Sequence, residues 1–128
     1  MGLAYGLAAP MIGSGAASLE LKGATRQLAA GLRKARGEAI TRRQEAVLTL
    51  DVGQRRFAVS GDGRAHALPE RIEVALVTAR SEQLDNQVGN IRFFPDGTST
   101  GGRITLSLGE TRQALEVDWL TGKVSVTP

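Results

Sequence analysis

Ile91–Gly102, IRFFPDGTSTGG, reads as a strand that is made to stop. Alternation puts Ile91 and Phe93 on one face and Arg92 and Phe94 on the other. Pro95-Asp96-Gly97 then closes the strand, because proline presets φ at the first turn position and glycine takes the positive φ that side chains resist. A second stretch, VDWLTGKV at Val117–Val124, reads as a hairpin. Val117 and Trp119 alternate with Asp118, Thr121-Gly122 turns the chain, and Lys123–Thr127 returns as a strand. Phe93, Phe94 and Trp119 fall in alternating strands, so they read as core or sheet-packing residues rather than as a ligand platform.

Working outward, the same period of two holds from Ala46 to the end. Ala46–Val52 and Arg56–Ser60 form a hairpin across Gly53-Gln54, Ala65–Leu68 is a short strand ended by Pro69, and Ile72–Thr78 alternates through Ile72, Val74 and Leu76. Ala79–Gly89 is polar and aperiodic, a loop; Asn90–Phe94, Arg103–Leu108 and Gln113–Trp119 are further strands. Before them the period is that of a helix. Over Ser18–Glu45, Leu21, Ala24, Leu28, Leu32, Ala35 and Ala39 recur at intervals of three and four and form one apolar stripe. Gly23, Gly31 and Gly37 each cost about 1 kcal/mol against alanine, so packing must hold this helix, either on the chain's own sheet or on a neighbouring helix. One helix followed by seven or eight short antiparallel strands is an α+β fold.

Composition narrows the chemistry. The 128 residues suffice for one core, with 41% hydrophobic and 23% charged residues and no cysteine. A thiolate metal site, a thiol nucleophile and a disulfide are therefore excluded. Of the net charge of +3, the segment Glu20–Glu45 carries seven basic residues against three acidic, while the remainder is nearly neutral with nine against ten. A basic helix suits acidic lipid, nucleic acid or an acidic protein, but a solvated face with local pairs such as Lys34–Glu38 explains it more simply.

No catalytic constellation is visible. His66 is the only histidine and has no evident partner; a pocket around it with a carboxylate in hydrogen-bond reach would reopen an enzymatic reading. Asp96 and Asp118 are explained by turns and alternation, and the oxygen ligands of a calcium loop are missing around Asp96. Ser99-Thr100-Gly101-Gly102 lacks both a P-loop lysine and dinucleotide-binding spacing. No metal or cofactor is expected.

The two quoted motifs, in this order behind a long helix, resemble the GspH/FimT family of minor pseudopilins. So do LAAGLRKARGEAITRRQEAVLTLD at Leu28–Asp51, an arginine-rich helix end running straight into a strand, and Ala67-Leu68-Pro69 before the Ile72 strand. The resemblance spans most of Leu21–Val126. It implies a pilin-like fold in which the structural motif residues are Ile91, Arg92, Phe93, Phe94, Pro95, Asp96, Gly97, Gly101, Gly102, Asp118, Trp119 and Gly122. It also implies that the second helix half packs under a β-rich periplasmic domain while the first half anchors the protein in the inner membrane.

Family members begin with a prepilin peptidase site, a methylated phenylalanine and a glutamate, and none of these is present here. GLAYGLAAPMI at Gly2–Ile12 resembles the end of the hydrophobic helix half with its kinking proline. The expected division is thus 1–17 as a remnant of that half and 18–128 as the head domain, with helix 18–45 and β-domain 46–128. Met1–Ile12 is too short for the ~20 apolar residues that span a bilayer.

The resemblance implies a non-enzymatic subunit of the type II secretion pseudopilus, near its tip, taking part in the export of folded proteins across the outer membrane. Its partners would be major and minor pseudopilins and exported substrates. The stripe Leu21, Ala24, Leu28, Leu32, Ala35 and Ala39 would supply helix packing, and the loops Ala79–Gly89 and Thr98–Gly102 would meet neighbours. The alternative is a type IV minor pilin of the FimT kind that binds DNA in natural transformation. Against it, such receptors carry an arginine-bearing motif near the C-terminus, whereas this chain ends TGKVSVTP with Lys123 alone.

Overall fold

In a computed structural model, the backbone is described for residues 2–128 and the side chains from Gly15 onward. Helix α1 runs Gly2–Arg42. Eight strands follow: β1 Ala46–Asp51, β2 Arg56–Val59, β3 Ala65–Ala67, β4 Glu73–Thr78, β5 Val88–Phe93, β6 Gly102–Leu108, β7 Thr111–Val117 and β8 Val124–Thr127. They make two antiparallel four-stranded sheets, ordered β3-β2-β1-β5 and β4-β6-β7-β8. The chain leaves the second sheet after β4, contributes β5 to the edge of the first, and comes back as β6. The PDG turn lies on that return path.

α1 lies across both sheets, touching β1, β2 and β5 of one and β6, β7 and β8 of the other. Leu21, Ala24, Leu28, Leu32, Ala35 and Ala39 are all buried in one core with Leu48, Leu50, Phe57, Ile91, Phe93, Ile104, Leu106 and Leu115. Each large side chain buried there contributes about 1.5–3 kcal/mol. This stripe therefore packs on the chain's own sheets and is not free to pack on a neighbour's helix. Gly31 explains the close approach: a Cβ there would meet the Phe57 ring at 2.9 Å and Leu48 at 3.1 Å.

Several boundaries differ from the sequence reading. α1 ends at Arg42 and not at Glu45, because Arg43 turns left-handed at φ 55° and Gln44 N–H donates back to Ala39 O at 3.3 Å. The helix backbone is continuous from Gly2 to Arg42, as two halves of one helix require. The roles expected of 1–14 lie outside the residues with described side chains. Among the described residues, no helix is long and apolar enough to cross a membrane.

Ala79–Gly89 is not all loop. It holds a 3₁₀ turn at Arg80–Glu82 and the first residues of β5. Glu82 is buried, and Arg92 Nε binds both its carboxylate oxygens at 3.1 and 3.2 Å while Arg92 Nη1 reaches Glu45 at 3.2 Å. A buried charge needs such a partner, so this segment is pinned to β5 at one end. Lys34 does not pair with Glu38. Glu38 instead binds Arg42 at 2.7 Å, and Lys34 reaches Asp62 at 3.2 Å.

Candidate interface at the helix–turn junction

The two motifs meet on one helix side chain. After β5, Phe94 N–H donates to Thr98 O and Gly97 N–H to Phe94 O, both at 2.9 Å, which closes the PDG turn. Asp96 Oδ1 accepts from Thr98 N–H at 3.0 Å and from Thr98 Oγ1 at 2.6 Å. Those hydrogen bonds to Thr98, the side-chain one foremost, hold the Asp96 carboxyl below its usual range. After β7, Gly122 N–H donates to Asp118 O at 2.7 Å, and Asp118 Oδ1 accepts from Leu120 N–H at 2.8 Å. Arg36 Nε then donates to Gly97 O at 3.2 Å and Thr121 O at 3.3 Å, tying both turns to α1.

This crossing accounts for the motif glycines. Gly122 has φ 70°, and a Cβ on it would collide with the Gly97 carbonyl and lie 2.8 Å from Arg36 Nε. A Cβ on Gly101 would meet Trp119 Cβ at 3.2 Å, and one on Gly102 would meet Val77 O at 2.9 Å and Ile91 Cδ1 at 3.1 Å. The buried Ser99 joins the turns: its N–H donates to Trp119 O at 2.9 Å and its hydroxyl to Arg92 O at 2.7 Å. Thr98–Gly102 is thus largely an internal brace, with Ser99 and Gly101 buried, and not the exposed contact loop expected.

Among the motif side chains, Ile91 and Phe93 are buried, and Arg92 and Phe94 half-buried, as the alternation implies; Pro95 and Asp96 are exposed. Trp119 departs from expectation. It lies beyond the end of β7 and is 66% exposed, beside Leu120 at 60%, so it is a surface residue and not part of the core. The strand reading failed there because the Asp118 side chain caps a turn that already begins at that residue.

Arg36 was missed, although a signal existed: it stands four residues after Leu32 and three before Ala39, a cation at an inward-facing position of the stripe. Beside it is a groove of about 520 Å³ lined by Arg33, Arg36, Thr121, Gly122, Lys123 and Val124. Arg33 Nη2 lies 3.4 Å from Val124 O.

His66 does have a partner, contrary to the sequence reading. Its Nε2 is 3.0 Å from Asp62 Oδ2, and its ring stacks on Phe57 with centroids 5.1 Å apart. The hydrogen bond from His66 and then that from Lys34 keep the Asp62 carboxyl below its usual range. A cleft of about 360 Å³ adjoins them, lined also by Gln27, Gly31 and Arg64. Among the described residues, this lining carries no hydroxyl or thiol for the histidine–carboxylate pair to activate, and its one amine, Lys34, is engaged with Asp62. Lys34 and His66 together hold the Asp62 turn against the helix, which is sufficient reason for the pair.

The family described as Type II transport protein GspH matches residues 24–122, which include the first motif, Val117–Gly122 of the second, and Arg36. The chain belongs to the GspH family. A Type II secretion system protein H from Xanthomonas campestris pv. campestris is 38% identical over 126 residues, 98% of this chain and 74% of that one. The fold is also that of the minor pseudopilin EpsH from the type 2 secretion system of Vibrio cholerae, with a TM-score of 0.66 at 14% identity, covering 84% of this chain and 96% of that one. The type IV minor pilin FimU of Pseudomonas aeruginosa gives a TM-score of 0.65 at 19% identity, covering 85% and 89%. The α+β, pilin-like architecture and the class of type II secretion minor pseudopilin are thereby shown.

Proposed function

We propose that this minor pseudopilin acts near the tip of the type II secretion pseudopilus as a structural and recognition subunit that makes and breaks no bonds. Its head domain stands in the periplasm, the first helix half serves the inner membrane, and its partners are other pseudopilins and exported folded proteins. One observation carries the reading. The motif groups able to do chemistry are already spent on structure: Asp96 on Thr98, Asp118 on its own turn, and Arg92 on Glu82 and Glu45. With those groups engaged in the turns, the motif region offers a shape and a surface. With the inner stripe buried, contacts to other subunits fall to the outer helix face, where Gly23 and Gly37 leave open space, and to the exposed turns.

The reading is tested by capturing the head domains of the other pseudopilins of the same system on this chain, with a labelled-DNA titration of the same preparation. Salt-tolerant capture of a pseudopilin without a DNA shift is expected. DNA binding that weakens steeply with salt, with no pseudopilin captured, would transfer the protein to the transformation-pilin class.

A further inference from the structure

Resting on that reading, we infer that the groove between α1 and the 121–124 turn is a receptor for a carboxylate-bearing segment of a neighbouring protein subunit. The groove of about 520 Å³ presents Arg33, Arg36 and Lys123 and no acidic residue. Among the described residues, none of the three has a carboxylate within ion-pair distance; other cations of the chain are also unpaired, but these three line one groove together. Clustered like charge without a counter-ion costs stability and is kept where a partner supplies the opposite sign.

Arg36 is also pre-organised. Its Nε is held by the carbonyls of Gly97 and Thr121, which fixes the guanidinium plane while its terminal nitrogens make no hydrogen bond within the described residues. A carboxylate then binds end-on to the two terminal nitrogens of a fork whose ordering entropy has already been lost on folding. On the same turn, before Thr121, Trp119 and Leu120 stand exposed, and an exposed tryptophan is a common anchor of an interface.

These neighbours favour protein over nucleic acid. A phosphate backbone needs a basic track, but the loops that build this groove carry exposed carboxylates at Asp96 and Asp118, one residue before Gly97 and three before Thr121. A short acidic segment needs only the three cations of the groove, whereas a phosphate backbone would run on past those carboxylates.

Trp119 is the only tryptophan and stands two residues before Thr121 of the groove, so its fluorescence reads a change at that turn. The full chain is titrated with a peptide of alternating glutamate and leucine, with its glutamine counterpart, and with a twelve-residue oligothymidylate. The acidic peptide is expected to shift the emission and the glutamine peptide to leave it unchanged. The double variant Arg33→Glu/Lys123→Glu, which spares the Arg36 brace, should bind the acidic peptide at least ten-fold more weakly with an unaltered melting curve. Arg56→Glu/Arg112→Glu, the same charge change elsewhere, should bind as the parent does.

No response to the acidic peptide, equal binding by the Arg33/Lys123 variant, or competitive displacement by oligothymidylate overturns the inference. Capture of pseudopilin head domains is run beside it with both variants. Capture that survives Arg33→Glu/Lys123→Glu leaves the secretion role standing and removes this groove from it. Absence of capture by the parent chain argues against the role, and the peptide titration still decides the groove.

Discussion

α1 is tied to the strands by two basic side chains two residues apart, and the two ties work differently. Lys34 meets a carboxylate, Asp62, at the turn after β2, and His66 completes that cluster. Arg36 meets the carbonyls of Gly97 and Thr121. The first tie neutralises the charge that it uses. The second takes only the direction of one N–H and leaves a full positive charge facing the groove. Charge that is matched within the chain marks structure; charge held in place but unmatched marks a surface intended for something else. The difference also sorts the energetics, since the exposed Lys34 pair is screened by solvent whereas the Arg36 junction also contains backbone that cannot move.

The junction breaks hardest at its glycine. Gly122→Ala forces a Cβ into the Gly97 carbonyl at a positive φ, so the two turns must separate. A loss of at least about 3 kcal/mol is expected, read as a lower denaturation midpoint with an unchanged m-value. Arg36→Met keeps the aliphatic stem and removes the donor, leaving two carbonyls with one partner fewer. About 2 kcal/mol is expected, with Arg36→Lys recovering only part of it because an ammonium lacks the Nε–H geometry. If Arg36→Met proved neutral, the junction would be held by backbone alone and the contrast between the ties would dissolve.

The sequence carried most of the architecture and less of the junction. Leu21 to Ala39 and the alternating runs of β1, β5 and β6 reveal themselves because one face of each is buried, and period follows from burial. The PDG and LTG turns are legible because they demand glycine at φ 90° and 70°. What they turn against is a tertiary fact. The 24 residues between Gly97 and Gly122 say nothing of their contact, and Arg36, sixty-one residues before Gly97, announces itself only as a cation in an apolar stripe. Asp62 and His66 stayed unpaired on paper because the pairing depends on the fold of the Gly61–Gly63 turn, where both glycines take positive φ. Trp119 misled for the opposite reason: local alternation continued past the residue at which the Asp118 side chain ended the strand.

The Lys34–Asp62–His66 tie gives the smallest effect, and pH exposes it. The Asp62 carboxyl is held below its usual range in the folded chain, first by His66 and then by Lys34. The folded state therefore binds the Asp62 proton less readily than the unfolded chain, and the stability gained is fully present above the unfolded carboxylate value of about 3.9. It is lost as pH falls through the lower folded value. Asp62→Asn removes the titrating group and keeps the size. At pH 7 the variant should melt only ~1–2 °C below the parent, as an exposed tie implies. On acidification below the unfolded value the two melting curves should converge, meeting once the pH is below the lowered folded value. A gap that stayed constant down to that pH would mean that Asp62 acts through the shape of its turn and not through its charge. In that case the two helix ties would be alike in holding backbone, and unmatched charge would no longer distinguish the Arg36 groove.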